Sequence, residues 1–413
     1  MHDNETIRTV CNGLKTDMTS FLDRLLRFES TPGYEGPAID WLYDQFKDIT
    51  DICEKVPVPE AIVNDPDYQF RMDERPYEGR PDLRLVLKGD GTGKSVIFNA
   101  HVDVVPPSAG HDRPFDPYIK DGAMYGRGAS DDKGEIAVMW TMLKAMKKLG
   151  VKPKGDVIFH IVIEEETGGN GTLNFIRTDE KADCCINIDG GGGIYTSSRG
   201  AVWFTGTVNG RAGHSGSAKT TVSAFKMAVE AMNIIEDYHD ELLAATKDDD
   251  PMFSGIDNPM PVTYGEVHAG DWPAMAPQKA VFKGVFGFLT TPKEEVMNQM
   301  IERVKTRGSQ WLRDNFEMTF QYKHDMSRID PGLSFVKLLQ DCYKKMGVNM
   351  EIKGLPASGD ACFYTNFLGV PTVMTGMGEI ETAHTDHEHV ILDKINLESA
   401  VLILFIQEWC GLR

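Results

Sequence analysis

Several short stretches of this sequence place imidazoles or carboxylates where an apolar run stops. In Val96–Ile97–Phe98–Asn99–Ala100–His101–Val102–Asp103 a buried strand ends in His-x-Asp. Strand period two puts His101 and Asp103 on one side, and an imidazole beside a carboxylate is the common pairing of a metal ligand with the group that orients it. A hydrogen-bonded pair closing a strand is the plain alternative. Gly126 to Gly134 carries Asp131 and Asp132 through a glycine-rich turn into a helix. Such a helix start can cradle phosphate. Neither GxxxxGK(S/T) nor GxGxxG is present, however, and adjacent aspartates repel an anion and attract a cation. An acidic helix cap is the competing reading. Ile163–Glu164–Glu165–Glu166–Thr167–Gly168–Gly169 sets three acids directly after an apolar strand. Carboxylates there are costly without a cation or a proton. Water activation beside a metal uses one acid to bind and one to move protons; a solvated turn is the alternative.

Asp189 follows the apolar run Cys184–Ile188 and precedes Gly190–Gly193. After another apolar run, Val370–Thr375, comes a cluster holding His384, His387 and His389. Chemistry alone does not choose among those three imidazoles. Together the five segments supply two imidazoles and several carboxylates, an oxygen and nitrogen donor set suited to zinc, with cobalt or manganese as substitutes.

In these motifs the chain resembles the co-catalytic zinc family that includes aminoacylase, succinyl-diaminopimelate desuccinylase, acetylornithine deacetylase, carboxypeptidase G and the carnosine dipeptidases. The resemblance spans nearly the whole chain, in order: His101-x-Asp103, the run from Gly126 to Gly134, the Glu165–Glu166 pair with Gly168, Asp189, Gly-x-x-His214-Ser215, and Ala383–His384. It implies that Asp131 bridges two zinc ions, one also held by His101 and Asp189, the other by Glu166 and His384. It further implies that Asp103 orients His101, that Glu165 is the general base passing a proton from water to the departing nitrogen, and that the peptide bond after Asp131 is cis. His384 follows Ala383 as the family's ligand does, which leaves His387 and His389 as lesser candidates. In dimeric relatives the counterpart of His214 steadies the developing oxyanion in the partner's site, an interaction worth about 2.7–4 kcal/mol.

The chain also departs from the family. Many relatives hold a substrate carboxylate with an asparagine, and with arginines in the following strand and after a Gly-Asp-Ala turn; here Ala274, Gly287 and Cys362 stand in those places. Losing a bidentate guanidinium weakens carboxylate recognition. Arg199 and Arg211 are candidate replacements, solvated surface arginines being the default, and Gly359 in the Gly-Asp-Ala turn is a further candidate substrate contact. An aspartate at position 189 accompanies aminopeptidases and dipeptidases in the family, a glutamate the deacylases and carboxypeptidases. The expected activity is therefore hydrolysis of an amide bond in a small dipeptide-like substrate, by a water activated between the two zinc ions. N-acyl-amino-acid deacylation is the alternative, and a non-catalytic binding protein on the same scaffold is remote.

Elements must bring these segments together. Apolar spacing predicts helices over Leu14–Phe28, Ala38–Phe46 and Gly134–Leu149, and strands over Leu83–Leu87, Ser95–Ala100 and Asp156–Ile163. Residues 57–82 are rich in Pro, Asp, Glu and Arg and read as an irregular insertion. Strand–helix alternation predicts an α/β layer with a mostly parallel sheet. Between about 197 and 326 the order becomes strand, helix, strand, strand, helix, strand, a ferredoxin-like α+β insert. The expected catalytic domain is thus 1–196 with 327–413, and the insert a lid through which a homodimer forms.

Composition excludes other classes. The chain has 413 residues and a formal net charge of -19, which argues against nucleic acid as a partner. There is no run of about 18 apolar residues to span a membrane and no apolar leader in the first residues. Seven scattered cysteines without a CxxC pair fit reduced thiols in a cytoplasm and argue against a cysteine zinc site.

Overall fold

The six residues Val96–His101 are buried on both faces, as are Val157–Val162. Near-continuous apolar runs of this length suit strands covered on two sides, and each fully buried Val, Ile or Phe there contributes about 1.5–3 kcal/mol. The structure, a computed structural model, describes residues 1–69, 76–214 and 220–413. Helices α1 (Asn4–Asn12), α2 (Lys15–Leu26) and α3 (Gly36–Phe46) lead into strands β1 (Ile52–Val56), β2 (Asp82–Leu87), β3 (Val96–His101), β4 (Tyr118–Lys120) and β5 (Ala123–Tyr125). Next come α4 (Lys133–Leu149), β6 (Val157–Val162), α5 (Asn170–Arg177), β7 (Cys185–Asn187) and β8 (Gly191–Ser198). A second group follows: β9 (Gly200–Asn209), α6 (Ala224–Thr246), β10 (Val262–Ala269), β11 (Lys279–Phe288), α7 (Lys293–Arg307), α8 (Gln310–Asn315) and β12 (Phe316–His324). The chain closes with β13 (Ser327–Arg328), α9 (Ser334–Lys345), β14 (Ile352–Leu355), β15 (Thr372–Met377), β16 (His389–Ile391) and α10 (Leu392–Trp409).

Two compact units result. One comprises Met1–Thr196, Arg328–Lys353 and Gly359–Arg413; the other comprises Ser197–Ser327 and Gly354–Ser358.

In the first unit the main sheet runs β1-β2-β6-β3-β7-β15-β8-β13, with β14 also on β8. It is mixed, which corrects the expectation of a mostly parallel sheet. Parallel pairing joins β6, β3, β7 and β15, while β1, β2 and β8 pair antiparallel. The glycines after Asp189 lead into β8, which turns the chain back along β15. Helix α10 is buried at every position from Glu398 to Gln407, as expected of a helix packed all round. It lies against α1, α4 and α9.

The second unit is a four-stranded antiparallel sheet, β10-β11-β9-β12. Helices α6 and α7 cover one face around Phe204, Phe282, Phe286 and Ile235. Helices α7 and α8 are separated by Gly308 and Ser309. Strand β10 is an edge and largely exposed.

Candidate metal centre

Because β6, β3, β7 and β15 are adjacent and parallel, their carboxyl ends share one edge of the sheet. That edge is where α/β folds present ligand-binding groups. His101 ends β3, Glu164–Glu166 follow β6, Asp189 follows β7, and the loop after β15 carries His384. Asp131 arrives on the turn that opens α4, where Gly128 takes the left-handed conformation (φ +84°). The Asp131–Asp132 peptide is cis.

The two imidazoles meet one carboxylate. His101 Nε2 lies 2.9 Å from Asp131 Oδ1, and His384 Nε2 lies 3.1 Å from Asp131 Oδ2 and 3.2 Å from Glu166 Oε1. Asp189 Oδ1 is 4.0 Å from His101 Nε2. Two ligands of a tetrahedral zinc, each about 2.0–2.1 Å from the ion, stand about 3.3 Å apart, so these separations suit donors to shared cations. His101, Asp131 and Glu166 form one group whose ligand atoms all lie within 4.8 Å of each other; His101, Asp132 and Asp189 form another. Two adjacent metal-binding clusters therefore stand at this edge, consistent with a dinuclear centre. Asp132 had no place among the expected ligands. Its Oδ2 accepts the backbone N–H of His101 at 2.9 Å, so that oxygen is engaged.

Further contacts set the orientation of these donors. His101 Nδ1 donates to the backbone carbonyl of Asp103 at 3.0 Å, which directs Nε2 toward Asp131. The Asp103 carboxylate, 3.5 Å from Nδ1, accepts the N–H groups of Glu165 and Glu166, each at 3.1 Å. Glu388 accepts from the N–H groups of Ser130 (3.1 Å) and Asp131 (3.2 Å) and pairs with Arg127 at 2.5 Å, both side chains fully buried. It ties the His384 loop to the Asp131 turn. Glu164, one of the three acids read as a possible solvated turn, is wholly buried. It pairs with Arg80 (2.6 Å) and accepts from Tyr77 (2.8 Å) and Asn170 (2.9 Å), while Arg80 also grips Glu35 with two hydrogen bonds. Arg80 and Tyr77 come from the stretch expected to be an irregular insertion. Sequence reading missed Arg80, Glu35 and Glu388 as supports, because nothing local marks a side chain whose partners lie tens of residues away.

Burial and like charge dominate the electrostatics of these carboxylates. Burial, then the charges of Asp360 and its other neighbours, pushes Glu165 well above the usual carboxylate range. Burial and the charge of Asp131 raise Glu166, and lift Asp189 to about 7. Burial opposes protonation of His384, yet its hydrogen bonds with Asp131 and Glu166 raise it to about 11. Carboxylates and imidazoles crowded and buried at one edge carry an electrostatic cost that bound cations would offset. The donor set fits a pair of divalent ions.

Other expected residues lie elsewhere. Gly359 faces Glu165: a Cβ placed on it would stand 3.5 Å from Glu165 Oε1. Cys362 is buried. His214, Arg199, Arg211, Ala274 and Gly287 belong to the second unit. His214 makes an isolated bridge with Met275, and its neighbour Ser215 lies outside the described residues. Arg211 is exposed and sits 4.7 Å over the Trp311 ring. Among the described residues no disulfide joins the seven cysteines, and no helix is long and apolar enough to cross a membrane.

A sequence profile of Peptidase family M20/M25/M40 matches residues 97–408. The chain is 24% identical over 367 residues to N-formyl-4-amino-5-aminomethyl-2-methylpyrimidine deformylase of Halalkalibacterium halodurans, covering 82% of this chain and 84% of that protein. It is 26% identical over 370 residues to succinyl-diaminopimelate desuccinylase 2 of a Ruegeria species, covering 85% and 89%. Among solved structures, the di-peptidase Dug1p of Saccharomyces cerevisiae superposes with a TM-score of 0.81 at 14% identity, covering 99% of both chains.

Proposed function

The chain belongs to Peptidase family M20/M25/M40, a metal-dependent hydrolase of amide bonds, and from that premise we propose that it cleaves a small dipeptide-like substrate at a two-zinc centre. The observation that carries the reading is the double use of Asp131. One oxygen faces His101 and the other His384, the disposition of a carboxylate that bridges two ions. His101 and Asp189 would hold one ion, Glu166 and His384 the other, with cobalt or manganese as substitutes. Asp132 is the weaker candidate, since one of its oxygens already serves the His101 backbone. When bound, the ions acidify a water and polarise the substrate carbonyl. Glu165, buried and raised by burial and neighbouring charge, takes a proton and returns it to the departing nitrogen. Asp103 holds the turn that carries Glu165, and His214 would donate to the developing oxyanion.

Asp189 supports a substrate with a free amino terminus. The second reading, deacylation of an N-acyl amino acid, draws its support from the relatives named for deformylation and desuccinylation. Gly359 borders the proton-shuttling carboxylate and would line the substrate there, with Arg211 a further substrate contact. We place the protein in a reducing cytoplasm, in keeping with seven cysteines and no disulfide among the described residues. A ferredoxin-like inserted unit would serve as lid and join a homodimer through its exposed edge, β10.

Replacing Glu165 by Gln tests the reading. Zinc content should stay at two ions per chain, while turnover of a dipeptide falls by about 10²–10⁴-fold. Undiminished turnover removes Glu165 from the mechanism. Dipeptides offered with and without an N-acetyl block separate the two substrate classes.

A further inference from the structure

Two buried carboxyl groups near Asp132 and Asp189 serve none of the steps above: Glu135, in the first turn of α4, and Glu398, on α10. They are hydrogen-bonded to each other. Glu398 is otherwise well held, its Oε2 accepting the Met377 N–H at 2.8 Å and its Oε1 the Tyr343 hydroxyl at 3.2 Å. Glu135 is not: its Oε2 is buried, and no N–H or hydroxyl group reaches it. Two carboxyl groups in contact bond only through a proton, so one of the pair is an acid that donates to the other. Apolar residues would fill the same space at lower cost.

The pair joins two segments that carry metal ligands. Glu135 stands one helical turn after Asp131, on the helix that the Asp131 turn opens. Met377 ends β15, and the chain from Gly378 leads on to His384. Gly378 packs on the same turn: a Cβ placed on it would stand 3.1 Å from Ser130 Oγ, 3.2 Å from the Ser130 carbonyl oxygen and 3.6 Å from Glu135 Oε1. At the far end of this loop Glu388 accepts the N–H groups of Ser130 and Asp131. The loop is thus fixed to the Asp131 turn at both ends, by Glu398 with Glu135 and by Glu388. Asp131 and His384, 3.1 Å apart, lie between the two anchors.

We propose that Glu135 and Glu398 are positioning residues: their shared hydrogen bond fixes the Asp131 turn against the end of β15 and so sets the spacing of Asp131 and His384 around one ion. The ion held by His101 and Asp189 depends on them less, because those ligands stand at the ends of β3 and β7, which pair directly. The inference rests on the two-zinc reading above.

Retention of zinc by the full-length protein against graded chelator tests it. The wild type should hold two ions, and H384A should show which of them belongs to His384. E135M fills the space without a hydrogen bond and should weaken that same ion by about 10- to 100-fold, leaving the other unchanged. Its kcat on a cleaved dipeptide should fall in step, with KM little changed. E135Q, whose amide N–H donates to Glu398 in place of the proton, should keep both ions. Unchanged retention in E135M overturns the proposal. Loss of both ions together with a lower melting temperature of the metal-free protein marks a merely structural role and also overturns it, as does an E135Q as weak as E135M. If E135M does not fold, E135D, one methylene shorter, decides by the same readout. A wild type that binds no zinc removes the two-zinc reading itself; two ions held equally by wild type and E135M remove only the positioning pair.

Discussion

Asp103 caps the turn that begins at Glu165: one oxygen of its carboxylate accepts the N–H of Glu165 and the other that of Glu166, each at 3.1 Å. The same residue's carbonyl receives the proton of His101 Nδ1. One buried aspartate thus sets the orientation of an imidazole from β3 and of the two acids that follow β6. Replacing Asp103 by Asn keeps the shape but turns an amide NH2 toward one of the two N–H donors. We expect zinc affinity to fall about 10- to 100-fold and kcat to fall with it, measured by competition with a chromophoric chelator and by steady-state rates. Wild-type affinity in D103N would show that the cap has no bearing on the metal centre.

Metal binding should depend steeply on pH. His384 is raised to about 11, against 6.5 for an ordinary imidazole, so the folded metal-free protein holds that proton through neutral pH. Its contribution to stability is full below about 6.5 and is lost as pH climbs toward 11. The side chain is 53% exposed, so solvent screens part of the effect. Asp189, lifted by burial and Asp131 to about 7 from 3.8, acts in the same direction: its contribution is present at low pH and lost as pH rises to about 7. The metal-free protein should melt at progressively lower temperature between about pH 5 and pH 9. The stabilisation given by zinc should grow over the same range, because the ion displaces these protons. Thermal melts with and without a chelator check this; a metal-free melting temperature that rises with pH contradicts it.

Glu388 couples two loops. Replacing it by Gln removes the charge facing Arg127 and leaves a fully buried guanidinium without its counter-ion, at a cost of about 3–5 kcal/mol. Urea unfolding of the zinc-loaded protein should show that loss, and zinc content should drop because the single oxygen of Gln cannot serve both Arg127 and the N–H groups of Ser130 and Asp131. A stability change below about 1 kcal/mol would mean that water replaces the pair.

Arg80 stands between two buried acids, Glu35 and Glu164. R80M leaves both carboxylates facing an apolar chain. Burial already raises Glu35 to about 7 even with its guanidinium in place. The variant should lose about 3–5 kcal/mol, more at pH 8 than at pH 5, since Glu35 sheds its proton as pH rises through about 7. Denaturant midpoints at the two pH values measure the difference; equal losses would show that Glu35 does not titrate in that range.

The chemistry of each segment was legible in the sequence by itself. An apolar run that stops at His101, at the acids of 164–166 or at Asp189 is a local pattern, and a strand end is a local event. Family resemblance selects His384 from three histidines; in the structure His384 bonds Asp131 and Glu166, whereas His387 pairs with Asp386 and His389 stacks on Tyr125. Convergence was decided by the tertiary structure. Adjacent parallel pairing of β6, β3, β7 and β15 turns separate strand ends into one edge, and no local spacing reports which strands become neighbours. The same is true of the supports. Arg80 reaches Glu35 and Glu164, and Glu388 reaches Asp131, across 45 to 257 residues of chain; such pairs are dictated by burial, which exists only once the chain has folded. Nor does a glycine at position 287 announce in the sequence that an arginine from the junction of β8 and β9 fills the space above it.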